Sequence, residues 1–125
     1  MGKNYLIDTN SLLEFVANSL PVNARIFMKD VIDEDFNVSI INRMEVLGHE
    51  SATQTLTDFM DLATTYQVGE AVANQTIALR KTKKIKLPDA VIAATALVHG
   101  FTILSRNTKD FQTIAGLDCV NPYDV

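Results

Sequence analysis

The run "LPDAVIAATALVHGFTILS" limits the architecture of this chain more tightly than any other segment. Pro88 suits a first helical turn, where its missing N–H is one the helix would leave unpaired anyway, and Gly100 suits the left-handed position after the last turn. Between them the residues are too densely apolar to leave a broad face for water, so this helix belongs inside the protein. "FTILS" then reads as a strand.

The same alternation runs through the rest of the chain. Asn4 to Ile7 reads as a first strand with a helix following to about Asn18; "SLP" interrupts, and a second helix spans about Val22 to Ile32. "NVSII" is a second strand, "NRMEVLG" and "ATQTLTDFMDLAT" are helical, "YQVG" reads as an edge strand and "DCV" as a last one. From Glu70 to Lys84, Ala73 pairs with Ile77 four residues on and Val72 with Leu79 seven on, the spacing of a surface helix. Strands separated by helices favour parallel pairing through right-handed crossovers, with helices on both faces of the sheet. The fold class is α/β, and no repeat or linker divides residues 1–125, which read as a single domain.

With 125 residues, 47% of them hydrophobic, and only five Gly and three Pro, the chain can bury a core and is not of disordered composition. Its one cysteine, Cys119, excludes an internal disulfide framework or a multi-cysteine metal site and reads as a small buried hydrophobe. No apolar run reaches the length of a membrane span, and Asp8 and Glu14 interrupt any secretory signal, so the expected location is cytoplasmic. A net charge of −4 gives no global attraction to nucleic acid. The charge is uneven, however: five of the eleven basic residues, Arg80, Lys81, Lys83, Lys84 and Lys86, lie in "RKTKKIK". This run is either a solvated helix end or a track for the phosphates of RNA leading to the "LPD" that follows.

In an open parallel sheet, ligands bind beyond the carboxyl ends of the strands. Asp8 directly follows the first strand, Glu45 sits one helical turn beyond "SII", Asp110 follows "FTILS" across "RNTK", and Asp89 lies in the first turn of the long apolar helix. Each acid has a local explanation. Asp8 is a turn or N-cap residue, Asn42 with Glu45 has the spacing of a capping box, Asp89 complements a helix dipole, and Asp110 can cap a short helix through "FQTIAG". Those explanations do not account for four acids at the same end of their elements. At about 4 Å and an effective dielectric near 20, each like-charged pair costs on the order of 4 kcal/mol, so such a cluster needs cations or protons. Hard divalent ions with oxygen ligands meet that need. Other chemistries lack their motifs: His49 and His99 have no metal spacing, there is no Gly-rich phosphate loop, and no G-x-S-x-G occurs.

"LIDTNSLL", "INRMEVLG", "LPDAVIAATALVHGFTILSRNTKDF" and "CVNP", in this order over nearly the whole chain, resemble the PIN-domain nucleases and most closely the VapC-type ribonuclease toxins of toxin–antitoxin systems. The resemblance implies a PIN-like three-layer α/β/α sandwich with a mainly parallel central sheet. It further implies an acidic site at Asp8, Glu45, Asp89 and Asp110 that holds Mg²⁺ or Mn²⁺ and hydrolyses RNA phosphodiesters. Thr9 matches the family's hydroxyl after the first acid, and Asn107 falls where many relatives place another acid or amide, so the fourth ligand lies between Asn107 and Asp110. Arg106 reads as a phosphate contact or an ordinary surface arginine. A cognate antitoxin and a homodimer are implied with the family; composition shows neither. Two rivals remain open at this stage: a PIN-like module that binds RNA or a partner without cleaving it, and a small-phosphoester phosphatase, which the "DTN" in place of D-x-D weakens.

Overall fold

The computed structural model describes residues 3–125. β1 (Tyr5–Ile7) leads directly into α1 (Thr9–Val16), and α2 (Val22–Glu34) follows, two residues longer than its apolar pattern predicts. β2 (Asn37–Ser39) feeds α3 (Ile40–Leu47), then come α4 (Gln54–Met60), β3 (Thr64–Tyr66) and α5 (Glu70–Thr82). α6 (Leu87–His99) is followed by β4 (Thr102–Leu104), the short α7 (Thr108–Phe111), β5 (Cys119–Val120) and a 3₁₀ turn at Pro122–Asp124.

Every strand pairing is parallel. β4 lies between β1 and β5, with Tyr5, Leu6 and Ile7 opposite Thr102, Ile103 and Leu104, and Ile103 and Leu104 opposite Cys119 and Val120. β2 pairs with β3, Asn37 to Ser39 opposite Thr64 to Tyr66. The expected parallel sheet is thus built from two hydrogen-bonded ladders. Asn37 closes the seam between them: its side-chain amide donates to the Tyr5 carbonyl at 3.3 Å, and its carbonyl oxygen accepts from the Tyr66 hydroxyl at 3.3 Å. A buried amide of this kind needs partners, and it finds one across the gap in β1 and one within its own ladder in β3.

Strand side chains alternate between faces, and the core follows that period. Leu6 and Ile103 point to a cluster with Val72 and Leu79 of α5, the buried face of α6, and Phe111. Ile7 and Leu104 point the other way, to Leu12, Ala24, Met28, Val38, Val46 and Met60. Helices therefore cover both faces, the three-layer arrangement of an α/β sandwich. α6 behaves as its sequence demands: Pro88 is in the first turn, Ala90 to Ala96 are buried, and Gly100 takes φ 74°, a left-handed conformation that glycine adopts without strain.

Three local readings are corrected. "NVSII" yields a strand only to Ser39, because Ser39 caps a helix there: its hydroxyl accepts from the Ile41 N–H at 2.8 Å, while the Asn42 side chain accepts from the Ser39 N–H at 2.9 Å. The capping box is thus Ser39 with Asn42, not Asn42 with Glu45, and Glu45 is left to point elsewhere. The edge strand expected at "YQVG" is Thr64–Tyr66 instead, set by its ladder to β2. Asp110 does not cap a helix through "FQTIAG" but lies within α7, whose N-cap position is Asn107.

Candidate active site at the carboxyl edge

Asp8 leaves the end of β1 with only 7% of its surface exposed and begins α1. Burying a carboxylate is costly unless donors surround it. One oxygen accepts from the Thr9 N–H at 2.9 Å and the Asn42 amide at 3.3 Å; the other accepts from the Ser105 hydroxyl at 2.7 Å. The turn-residue reading of Asp8 is correct as far as it goes, but the two further donors come from other elements. Ser105 is fully buried just beyond β4, and its oxygen also accepts from the Asn107 N–H at 3.0 Å. That hydroxyl fixes the loop carrying Asn107 to the carboxylate after β1.

Asn42 does a similar job from α3. While its oxygen holds the Ser39 N–H, its amide reaches both Asp8 and, at 3.2 Å, the Thr9 hydroxyl. Thr9 in turn donates to a Glu45 carboxylate oxygen at 2.6 Å. Asp8, Thr9, Asn42 and Glu45 are therefore one hydrogen-bonded unit spanning α1 and α3.

Asp89 enters from the first turn of α6, half-buried. Its carboxyl titrates above the usual aspartate range, first because burial disfavours its charge, then because Asp8, Glu45 and Asp110 all repel it; Lys86 opposes the shift. The four acids that the sequence places at one edge are thus near enough to act on one carboxyl. Asp110 is held by a different device. A four-residue helix cannot stand alone; Phe111, fully buried in the α5–α6 cluster, anchors it. Removing that ring from water contributes about 2–3 kcal/mol.

Asp89, Asn107 and Asp110 line a cleft of about 700 Å³ together with Lys83, Lys84, Lys86 and Lys109, while Asp8 and Glu45 do not line it. A space that size takes a nucleotide rather than a few waters. Arg80 and Lys81 do not line this cleft. Arg106 is committed elsewhere: its guanidinium pairs with Glu14 at 2.6 Å and lies over the Tyr123 ring at 4.4 Å, and the Glu14 bond holds its pKa above the ordinary arginine value.

The acids' donor chemistry suits a hard divalent cation: mutually repelling carboxylate oxygens, with Lys86 the lysine that offsets part of the repulsion on Asp89. Asp8, with three of its roughly four lone-pair positions taken, retains capacity for one further partner. Among the described residues no three His, Cys, Asp or Glu side chains stand close enough together to hold a metal ion as they are.

Sequence reasoning missed Ser105 and misread Asn42. The rule that singled out Asp8, a polar residue immediately after a strand, applies equally to Ser105.

The PIN domain family model matches residues 5–117. The chain is similar to VapC ribonuclease Y4jK of Sinorhizobium fredii, with 48% identity over 42 residues, 34% of this chain and 29% of that protein. It is also similar to ribonuclease VapC1 of Rickettsia felis, with 53% identity over 30 residues, 24% of this chain and 22% of that one. These alignments thus span under a third of either relative. Among solved structures, a toxin–antitoxin complex from Klebsiella pneumoniae contains a chain similar to this one with TM-score 0.76 and 30% identity, covering 97% of this chain and 99% of that chain. A chain of DNA-bound VapBC from Salmonella typhimurium shares the fold, with TM-score 0.79 and 20% identity over 97% of this chain and 99% of its own.

Proposed function

Because this chain belongs to the PIN domain family, we propose that it is a divalent-metal-dependent endoribonuclease and the toxin of a toxin–antitoxin pair. The observation that carries the reading is the Asp89 carboxyl, half-buried and within electrostatic reach of Asp8, Glu45 and Asp110, at a cleft it lines together with Asp110 and several lysines. Carboxylates so placed destabilise the metal-free site, and lysines beside them attract a phosphodiester rather than a neutral substrate.

On this reading Asp8, Glu45, Asp89 and Asp110 hold Mg²⁺ or Mn²⁺. The chemistry such a cation supplies when bound is Lewis acidity, which acidifies water and neutralises charge building on the phosphate. Asp8 is pre-aimed by Ser105 and Asn42, and Thr9 holds Glu45 in place through its hydroxyl. Asp110 and Asn107 line the same cleft as Asp89, Asn107 as an amide that can donate to a phosphate oxygen. Lys83, Lys84 and Lys86 draw the backbone in without reading its sequence. Arg106 serves the scaffold, tying the loop after β4 to α1 and the C-terminal turn.

The solved chains of similar fold come from toxin–antitoxin complexes, which supports a cognate antitoxin as the partner. A homodimer and a cytoplasmic site of action complete the proposal; among the described residues no helix is long and apolar enough to cross a membrane. The test uses the purified chain, free of antitoxin, on total RNA with Mg²⁺ or Mn²⁺. Cleavage is expected to stop with EDTA and to fall at least ~100-fold in Asp89→Asn. Undiminished cutting in either case removes the mechanism.

A further inference from the structure

The turn joining α5 to α6 separates two depressions, not one. On its far side from Asp89 lies a groove of about 550 Å³ lined by Ile77, Arg80, Lys81 and Leu87, with Lys83 and Lys84 shared with the acidic cleft. Among the described residues no carboxylate lines this groove, and none of its four cations is in an ion pair. Arg80 spends one nitrogen on the Ile85 carbonyl at 3.3 Å, which holds it against the turn and leaves the rest of its fork available. Ile77 and Leu87 are each more than half exposed, at 54% and 52%. Uncompensated positive charge beside exposed aliphatic surface is complementary to a strand whose phosphates and unstacked bases alternate.

We propose that bound RNA does not end at the scissile phosphate but crosses the 83–86 turn and continues as a single strand in this groove, so that the enzyme grips several nucleotides on one side of the cut. The inference rests on the endoribonuclease reading and extends it. Lys83 and Lys84, which border both depressions, carry the crossing phosphates. Arg80 and Lys81 hold the phosphates beyond, and Ile77 and Leu87 lie against a sugar or base. Exposed Ile77 and Leu87 offer aliphatic surface to unstacked bases, which fits a single strand in the groove. The groove contributes affinity and a length requirement without sequence choice.

The test compares labelled oligouridylates of about four and about twelve nucleotides, bound in EDTA across a KCl series, for the wild type, Arg80→Gln/Lys81→Gln and Lys86→Gln/Lys109→Gln. All four positions are exposed, so the variants should fold, which circular dichroism checks. For single strands each neutralised phosphate contributes about 0.7 to the salt slope, so the Arg80/Lys81 variant should lose about 1.4 of slope on the long RNA and nothing on the short one. Lys81→Gln alone should lose about half of that. The Lys86/Lys109 variant should weaken both RNAs. An Arg80/Lys81 variant that leaves the long RNA unaffected, or weakens both lengths equally, overturns the proposal. So does a twelve-residue polyglutamate that competes through Arg80 and Lys81 while RNA does not, which would assign the groove to an acidic protein segment. A wild type that leaves total RNA uncut in Mg²⁺ and Mn²⁺ instead removes the endoribonuclease reading itself.

Discussion

Ser105→Ala deletes one oxygen from a fully buried position and tests whether the site is held together before any metal arrives. That oxygen donates to Asp8 at 2.7 Å and accepts from the Asn107 N–H at 3.0 Å. A hydrogen bond to a charged group has a net worth of about 1.5–3 kcal/mol, and orphaning a part-buried N–H adds up to about 1 more. Alanine keeps the Cβ, so the cavity term is small. The expected loss is about 2–3 kcal/mol from a total stability of roughly 5–15. With a urea m-value of about 2 kcal/mol/M, the unfolding midpoint should fall by about 1 M. Equilibrium unfolding in EDTA measures this directly, and a double-mutant cycle with Asp8→Asn isolates the pair, with an expected coupling of at least ~1 kcal/mol. A loss under ~0.5 kcal/mol, or strictly additive mutants, would refute the claim that Ser105 fixes Asp8.

Asp89 gives a pH signature. Its carboxyl is raised by burial and by its three acidic neighbours, so the stability present at low pH is lost as pH rises through the elevated value; metal-free Asp89→Asn should exceed the wild type in stability at pH 7, the gap closing towards pH 4. Added Mg²⁺ should reverse the order, since wild type gains about 2.7 kcal/mol at a hundred times its Kd and the mutant less; denaturation curves at both pH values and with both metal conditions decide it. Cys119 should be inert, because burial first, and the Asp8 charge second, push its thiol up to about 11. At pH 8 only about one molecule in a thousand is then thiolate, and labelling by iodoacetamide should run ~100-fold slower than in urea; equal rates would show an open, ordinary thiol.

Elements with strong local signals were legible in the sequence. α6 emerged with its bounds because Pro88, Gly100 and a dense apolar run all agree, and the parallel layering followed from alternating strands and helices. β3 was misplaced because its strand, Thr64–Tyr66, is exposed or half-buried throughout and has no apolar alternation to mark it; only its partner β2 defines it. The same reason explains the capping box. Ile40 and Ile41 are β-branched and read as strand, so the helix start was set three residues late, and Asn42 was taken for the cap that Ser39 provides. The positions of the acids were accessible because the carboxyl edge of a parallel sheet is a rule of topology. The donors that hold them were not, since Asn42 meets Asp8 34 positions away and Ser105 meets it 97 positions away, distances at which no local pattern survives.

The pairing of β1 with β4 also dictates when the site can exist during synthesis. Asp8 needs the Leu104 carbonyl for its own N–H and the Ser105 hydroxyl for its side chain, and both are made almost a hundred residues after it. A growing chain that has reached only α6 has β1 without its neighbour and Asp8 without its buried donor. Parallel contacts between such distant segments form late, because the long loop must close before any ladder bond rewards it. On the nuclease reading, a ribosome therefore carries an unassembled, silent site until Leu104 and Ser105 have emerged, and cutting becomes possible only once β4 docks beside β1.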